Sequence, residues 1–208
     1  MKSNQRDDHY IDALAALGSP RSYPKNAILV QEGDHTDQLY LVLAGRLKVY
    51  LADEDGKEII VDVLGPRRYF GEMALDGEPR SASVMTTEAS KLVVIEREQF
   101  RQFLSQHPDA AFQLILAMIG RARHLTRTVG NLALLDVYGR VARFLIDQAV
   151  DHAGRMVVPS QASQQEIAKR VGASRETVSR ILTDLRDGGY IAMEKDTIVI
   201  RQRLPKRW

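Results

Sequence analysis

Between residues 28 and 97 the apolar positions come in short runs broken by turn signals. Leu39-Tyr40-Leu41-Val42-Leu43 is continuous and stops at Ala44-Gly45, whereas Leu47-Lys48-Val49-Tyr50-Leu51 alternates at period two. Asp53-Glu54-Asp55-Gly56 predicts a hairpin turn into Glu58-Ile59-Ile60-Val61-Asp62-Val63-Leu64. Ser83-Val84-Met85-Thr86 and Leu92-Val93-Val94-Ile95 extend the series. Closely spaced strands without helices between them predict an antiparallel roll or barrel.

From about Pro108 to Asp136 the period changes. Ile115, Ala122 and Val129 lie seven apart, and Met118, Leu125 and Leu132 repeat the spacing offset by three. That is an a/d seam on a helix ~40 Å long at 1.5 Å per residue. A seam turned onto the protein's own core is the alternative. The length of the helix, which outruns the preceding domain, favours a parallel dimer with Arg121, Arg123, Thr126 and Arg127 flanking the seam.

Leu135-Asp136-Val137-Tyr138-Gly139 reads as a hinge, followed by a helix from Arg140 to His152 carrying Val141, Phe144, Leu145 and Ala149. Ser163-Gln164-Gln165-Glu166 then has capping-box spacing, and Gly172 ends that helix. Ser174 can cap the next helix, Arg175 to about Asp187, which stops at Gly188-Gly189. Ile167, Val171, Val178, Ile181, Leu182 and Leu185 close a shared core, so the second helix shows Arg175, Glu176, Thr177 and Arg180 outward near its start. Such an end enters the major groove in a helix-turn-helix, where arginine suits guanine O6/N7 and glutamate the cytosine amino group. Ser163, Gln165, Ser174 and Thr177 offer short donors to phosphates. A plain surface helix with a Glu176–Arg180 ion pair is the competing reading. Tyr190 to Glu194 and Thr197 to Ile200, around Lys195-Asp196, predict a small hairpin or wing.

A second group of polar residues interrupts the strands. Gly71 permits close backbone approach, Glu72 can accept a sugar hydroxyl, and Arg80 can pair with a phosphate while Ser81 donates to it. Glu72 and Arg80 pairing with each other inside an empty roll is the bland alternative.

Charge sharpens the picture at one end. Residues 139 to 208 hold 13 Lys and Arg against 8 Asp and Glu, a balance of +5, while the rest of the chain holds 16 against 19, a balance of −3. A basic C-terminal third suggests a phosphate-bearing partner. The absence of cysteine removes disulfides, thiolate metal sites and iron–sulfur clusters. Five scattered histidines suggest no metal site. The opening MKSNQRDDHY lacks the apolar core of a signal peptide, so a soluble cytoplasmic protein is expected. No catalytic residue is assigned: Glu72, Asp76, Glu78 and Arg80 lack nucleophile–base spacing, and there is no GxxxxGK[ST] run.

The run Ser163-Gln164-Gln165-Glu166-Ile167-Ala168 through Val171-Gly172-Ala173-Ser174-Arg175-Glu176-Thr177-Val178-Ser179-Arg180-Ile181-Leu182 closely resembles the helix-turn-helix of the CRP/FNR family. Val129-Gly130-Asn131-Leu132-Ala133 and Leu135 to Arg140 resemble its hinge. Residues 66 to 84 resemble the phosphate-binding cassette of cyclic-nucleotide-binding domains. The resemblance implies Arg175, Glu176 and Arg180 as base readers. Gln164 stands where the family carries a further base-contacting arginine. It implies Gly71, Glu72, Arg80 and Ser81 as ligand contacts. The adenine-facing Thr-Ser pair is Leu125-Thr126 here, so only Thr126 carries over. The stretch from Glu72 to Arg80 is also shorter than in cAMP-binding members.

The resulting expectation is an α+β chain: an antiparallel β-roll sensor (1–107), a dimerisation helix and hinge (108–138), and a winged helix-turn-helix (139–208). The implied protein is a homodimeric transcription regulator on palindromic double-stranded DNA built from TGTGA-like halves ~34 Å apart. RNA polymerase is a further implied partner. No cofactor is required. The effector is cAMP foremost, with cyclic di-GMP, another ligand or ligand-independent action as alternatives. A ligand-binding regulatory subunit of a protein complex is the more distant one.

Overall fold

The continuous apolar run at Leu39–Val42 is explained by burial on both of its faces. In the computed structural model, which describes residues 5–159, 163–194 and 197–205, it forms β3 (Gln38–Ala44) inside a four-stranded antiparallel sheet. Its neighbours are β8 (Ser90–Glu96) and β6 (Tyr69–Phe70), and β1 (Ser19–Tyr23) pairs with the far side of β8. A second antiparallel sheet runs β2 (Ile28–Val30), β7 (Ser83–Thr86), β4 (Leu47–Ala52), β5 (Glu58–Leu64). Tyr40, Val42, Leu92 and Val94 pack against Val30, Leu47, Leu64 and Val84 of that second sheet. Their sequence neighbours Leu39, Leu41, Val93 and Ile95 face the other way. A strand covered on both faces carries no alternation, whereas one with a wet face does. The predicted hairpin turn is present: the Gly56 amide donates to the Asp53 carbonyl at 3.0 Å between β4 and β5.

Helices cover the outer face of the first sheet. They are α1 (Gln5–Ala15), α2 (Arg97–Gln106) and the first turns of α3 (Pro108–Leu134), contributing Ile11, Leu14, Phe100, Phe103 and Ala110. Neither α1 nor α2 was expected from the sequence. Among the described residues each buries two apolar side chains, too few for a clear helical stripe, and each depends on the sheet beneath it. Burying an aromatic ring here contributes about 1.5–3 kcal/mol.

Lys48 occupies a polar position of the alternating strand yet is buried. Its ammonium lies 2.5 Å from Glu58 Oε2 and 4.2 Å from the centre of the Tyr50 ring. A buried charge is tolerable only when paired in this way.

The chain forms two compact units, Met1–Arg121 and Ala122–Trp208. In the second, α4 (Val137–Gln148), α5 (Gln164–Val171) and α6 (Arg175–Asp187) enclose a core of Val141, Leu145, Ile167, Val171, Val178, Leu182 and Leu185. A sheet of order β11 (Ile191–Glu194), β12 (Thr197–Ile200), β10 (Arg155–Pro159), β9 (Val150–His152) adds Val158, Ile191 and Ile198. The expected helix from Arg140 to His152 is therefore corrected at both ends. It starts at Val137, where the Asp136 carboxylate accepts from the Gly139 amide at 2.7 Å. It stops at Gln148 because Ala149 is extended and Val150–His152 is drawn into a hairpin. That hairpin turns at Ala153 and Gly154, both at positive φ, with Asp151 Oδ1 accepting from the Gly154 amide at 2.8 Å. The wing strands β11 and β12 pair antiparallel as expected, while Lys195-Asp196 lies outside the described residues. No helix among the described residues is long and apolar enough to cross a membrane.

Candidate functional site

Two groups of side chains stand out, one in each unit. In the first, the chain leaves β6 at Gly71, whose φ of +90° suits glycine and whose added Cβ would lie 2.8 Å from Arg80 Nη1. Glu72 then opens a 3₁₀ turn, Glu72–Asp76. Glu72 is 5% exposed. Oε1 accepts from Arg121 Nη1 of α3, and Oε2, buried, has no hydrogen-bond partner among the described residues. Arg121 also donates to the Tyr69 carbonyl at 2.7 Å and stands over the Tyr69 ring. Burial pushes the Glu72 carboxyl above its ordinary range, against the opposing pull of the Arg121 guanidinium.

Arg80 is 6% exposed and does not pair with Glu72. Its Nε donates to Thr36 Oγ1 at 2.7 Å, Nη1 to the Gly71 carbonyl at 3.1 Å and Nη2 to the Gln38 carbonyl at 2.5 Å. Burial lowers its pKa, with Tyr40 and Asp37 acting the other way. Among the described residues three of its five donors are thus engaged, leaving one N–H on each terminal nitrogen. Ser81 is exposed and its hydroxyl lies 3.4 Å from Met73 Sδ. Gly71, Glu72, Arg80 and Ser81 therefore gather around one cassette, offering a cationic fork and an unsatisfied acceptor. Thr126, on α3 in the second unit, is exposed and its hydroxyl donates to the Ala122 carbonyl at 3.0 Å.

The sequence reading overlooked two residues here. Arg121 was expected beside the seam, and it instead meets Glu72. The spacing of Leu114, Ala117 and Arg121 was the available signal: three and seven residues apart, they share one stripe, and Leu114 and Ala117 pack on the roll's core. Thr36, in the loop between β2 and β3, carried no such signal.

In the second unit the caps form as expected. Ser163 Oγ accepts from the Glu166 amide at 3.2 Å and Ser174 Oγ from the Thr177 amide at 3.1 Å, while Gly172 takes φ +63°. The Glu166 carboxylate is occupied by Arg170 at 2.8 Å. Arg175, Glu176 and Arg180 are exposed on the first turns of α6, and among the described residues none of the three forms a salt bridge. The competing ion pair between Glu176 and Arg180 is absent. Glu176's own amide at the helix start and the Ser174 hydroxyl hold its carboxyl below the ordinary range, so it is an acceptor at neutral pH. Gln165 is exposed and Gln164 half-buried. Behind them, Arg140 donates to the carbonyls of Val171 at 2.7 Å, Leu135 at 2.9 Å and Gly172 at 3.4 Å. It ties the segment after α3 to the turn between α5 and α6, a link that the sequence reading did not foresee.

Helix α3 exposes much of its apolar surface. Leu125 is 51% and Val129 64% exposed, Ile115 and Leu132 are exposed too, and Ala110 is its sole fully buried residue among those described.

Residues 20–107 match the family model of the cyclic nucleotide-binding domain, and residues 139–204 that of the Crp-like helix-turn-helix domain. The chain is 32% identical over 204 residues to a CRP-like cAMP-activated global transcriptional regulator of Mycobacterium tuberculosis, covering 95% of this chain and 91% of that protein. It is 36% identical over 185 residues to the cAMP-activated global transcriptional regulator CRP of Escherichia coli O157:H7, covering 86% and 87%. Among solved structures it resembles the c-di-GMP responsive global regulator CLP of Xanthomonas campestris, with a TM-score of 0.77, 28% identity and coverage of 92% and 98%.

Proposed function

The chain belongs to the CRP/FNR family of DNA-binding transcription regulators, and on that footing we propose that a cyclic nucleotide seated in the Gly71–Ser81 cassette controls its binding to DNA. The observation that carries the ligand reading is the buried Glu72 Oε2, without a hydrogen-bond partner among the described residues, in the same cassette as the fork of Arg80. An unsatisfied buried acceptor costs about 1–3 kcal/mol, a cost that a ligand hydroxyl relieves. A phosphate takes the two N–H groups that Arg80 keeps, and Ser81 donates once it releases Met73. Thr126 enters this reading through the resemblance alone. The names of the two relatives favour cAMP, and that of the Xanthomonas regulator keeps cyclic di-GMP as the second candidate.

DNA is read by Arg175, Glu176 and Arg180, which are exposed and form no salt bridge among the described residues. Ser163, Gln165, Ser174 and Thr177 lie nearby for phosphate contacts, and Gln164 replaces an arginine base contact of the family. The exposed seam Ile115, Leu125, Val129 and Leu132 is covered by a second copy, giving a homodimer on a palindromic site. The same reading places the protein in the cytoplasm, with RNA polymerase as its partner on DNA.

A ligand moves this equilibrium only by binding one conformation better than another, and a shift from mostly inactive to mostly active needs roughly 5 kcal/mol. Calorimetric titration with cAMP, cGMP and cyclic di-GMP tests the cassette. DNA affinity with and without each nucleotide, for wild type and Arg80→Ala, tests the control. Wild-type affinity that responds to none of them overturns the ligand reading and leaves the DNA-binding role standing.

A further inference from the structure

The loop between β2 and β3 is zipped onto Arg80 along its length. The Gly33 amide donates to the Arg80 carbonyl at 2.9 Å, and the Arg80 amide to the Asp34 carbonyl at 2.9 Å. Thr36 Oγ1 then accepts from Arg80 Nε at 2.7 Å, and the Gln38 carbonyl from Nη2 at 2.5 Å. Three of these four bonds use backbone groups, of Gly33 and Asp34 in the loop and of Gln38 at the start of β3, which any residue supplies. The fourth requires a side-chain oxygen at one position.

We infer that Thr36 is a positioning residue for ligand recognition, setting the plane of the Arg80 guanidinium so that its two remaining N–H groups present a fork to an anionic phosphate. The inference rests on the cassette reading above. A guanidinium is planar, and anchors on all three of its nitrogens fix both its position and its tilt. Gly71 and Gln38 alone hold the two terminal nitrogens and leave rotation about the line joining them. The Nε bond removes that rotation. Because Arg80 is buried, a lost acceptor leaves a charged donor unsatisfied, and the guanidinium turns to recover it. The fork then has to be reorganised at the moment of binding, and affinity falls. Thr36 itself is exposed and contributes little to the core, so its replacement should be tolerated.

Calorimetric titrations of the full chain with cAMP and with cyclic di-GMP test this in wild type, Thr36→Val and Thr36→Ser. Adenosine and guanosine, which lack the phosphate, serve as controls in competition. Valine keeps the shape of threonine without the hydroxyl and should weaken cyclic-nucleotide binding on the order of tenfold. Serine keeps the oxygen and should stay within about twofold of wild type. The nucleosides should bind all three proteins alike. Thr36→Val binding the cyclic nucleotide as wild type does overturns the inference. So does Thr36→Ser as weak as Thr36→Val, or a loss shared equally by the nucleosides, since either would point to a general loosening of the pocket. Wild type binding neither cyclic nucleotide overturns the cassette reading, and this assignment with it.

Discussion

Arg121 and Glu72, 49 residues apart in sequence, meet in an ion pair that engages only one of the two carboxylate oxygens. The acid is buried and its partner half-buried, so desolvation outweighs the attraction and the carboxyl is held above its ordinary range. Among the described residues the first unit thus keeps an acceptor that has no partner.

This has a consequence for stability. A carboxyl with a raised folded-state pKa binds its proton more tightly folded than unfolded. Stability therefore falls as pH rises from about 4.3, the unfolded value, through the raised value, and is flat above it. Glu72→Gln cannot ionise and lacks this fall. Denaturant midpoints of the two proteins, followed from about pH 4 to pH 7, should diverge with wild type losing ground as pH rises. A constant difference across that range would mean that Glu72 titrates normally.

The seam on α3 is testable without disturbing the isolated chain's core, because Leu125 and Leu132 are both exposed within it. Replacing the two together with Asp places unpaired charge in the proposed dimer interface and little elsewhere. Sedimentation should show a monomer, with binding to a palindromic duplex much reduced and helical content kept. An intact dimer would place the interface on another surface.

Specific and non-specific contacts separate by their salt and sequence dependence. Arg175→Ala should cost about 1–3 kcal/mol on the cognate site and relax selection at one guanine. Arg201, exposed just after β12, is suited to a phosphate. Arg201→Ala should weaken all sequences alike and shallow the salt slope by about one. An unchanged base-preference profile for Arg175→Ala would rule out this docking.

Arg140 predicts a different pattern. Its three carbonyl acceptors include Leu135, just after α3, and Val171 and Gly172, at the end of α5. Hydrogen bonds from a charged group contribute roughly 1.5–3 kcal/mol. Arg140→Ala should lower the stability of the second unit by about 2 kcal/mol and weaken DNA binding without altering base preference. Thermal melting beside a binding-site selection distinguishes it from Arg175→Ala, which leaves melting unchanged.

Much of the architecture was legible because it depends on local regularities. Period two marked the strand at Leu47–Leu51, turn signals bounded the other short apolar runs, and the seven-residue spacing from Ile115 to Leu132 marked the long helix. Ser163, Gly172 and Ser174 delimited the two short helices because each acts on backbone within three or four residues of itself. The outward face of α6 followed once its apolar positions were assigned to the core. Two boundaries of α4 misled, for different reasons, the first because the Asp136 cap draws Val137 to Gly139 into the start of the helix. The apolar set from Val141 to Ala149 continued a helical pattern past Gln148, where pairing with β10 decided the conformation instead.

The chemistry of the segment from Gly71 to Ser81 was only half readable. Gly71, Glu72, Arg80 and Ser81 lie within eleven residues, so their residue types alone suggested a phosphate and a sugar hydroxyl. What each side chain does in the folded unit was settled by partners far along the chain: Arg121 for Glu72, and Thr36 and Gln38 for Arg80. A hydrogen bond between residues 44 or 49 positions apart leaves no periodicity, because its geometry exists only after β3, β6 and α3 have packed. Sequence determined which groups the cassette contains. Tertiary structure decided which donors and acceptors stay open, since that depends on what packing has already satisfied.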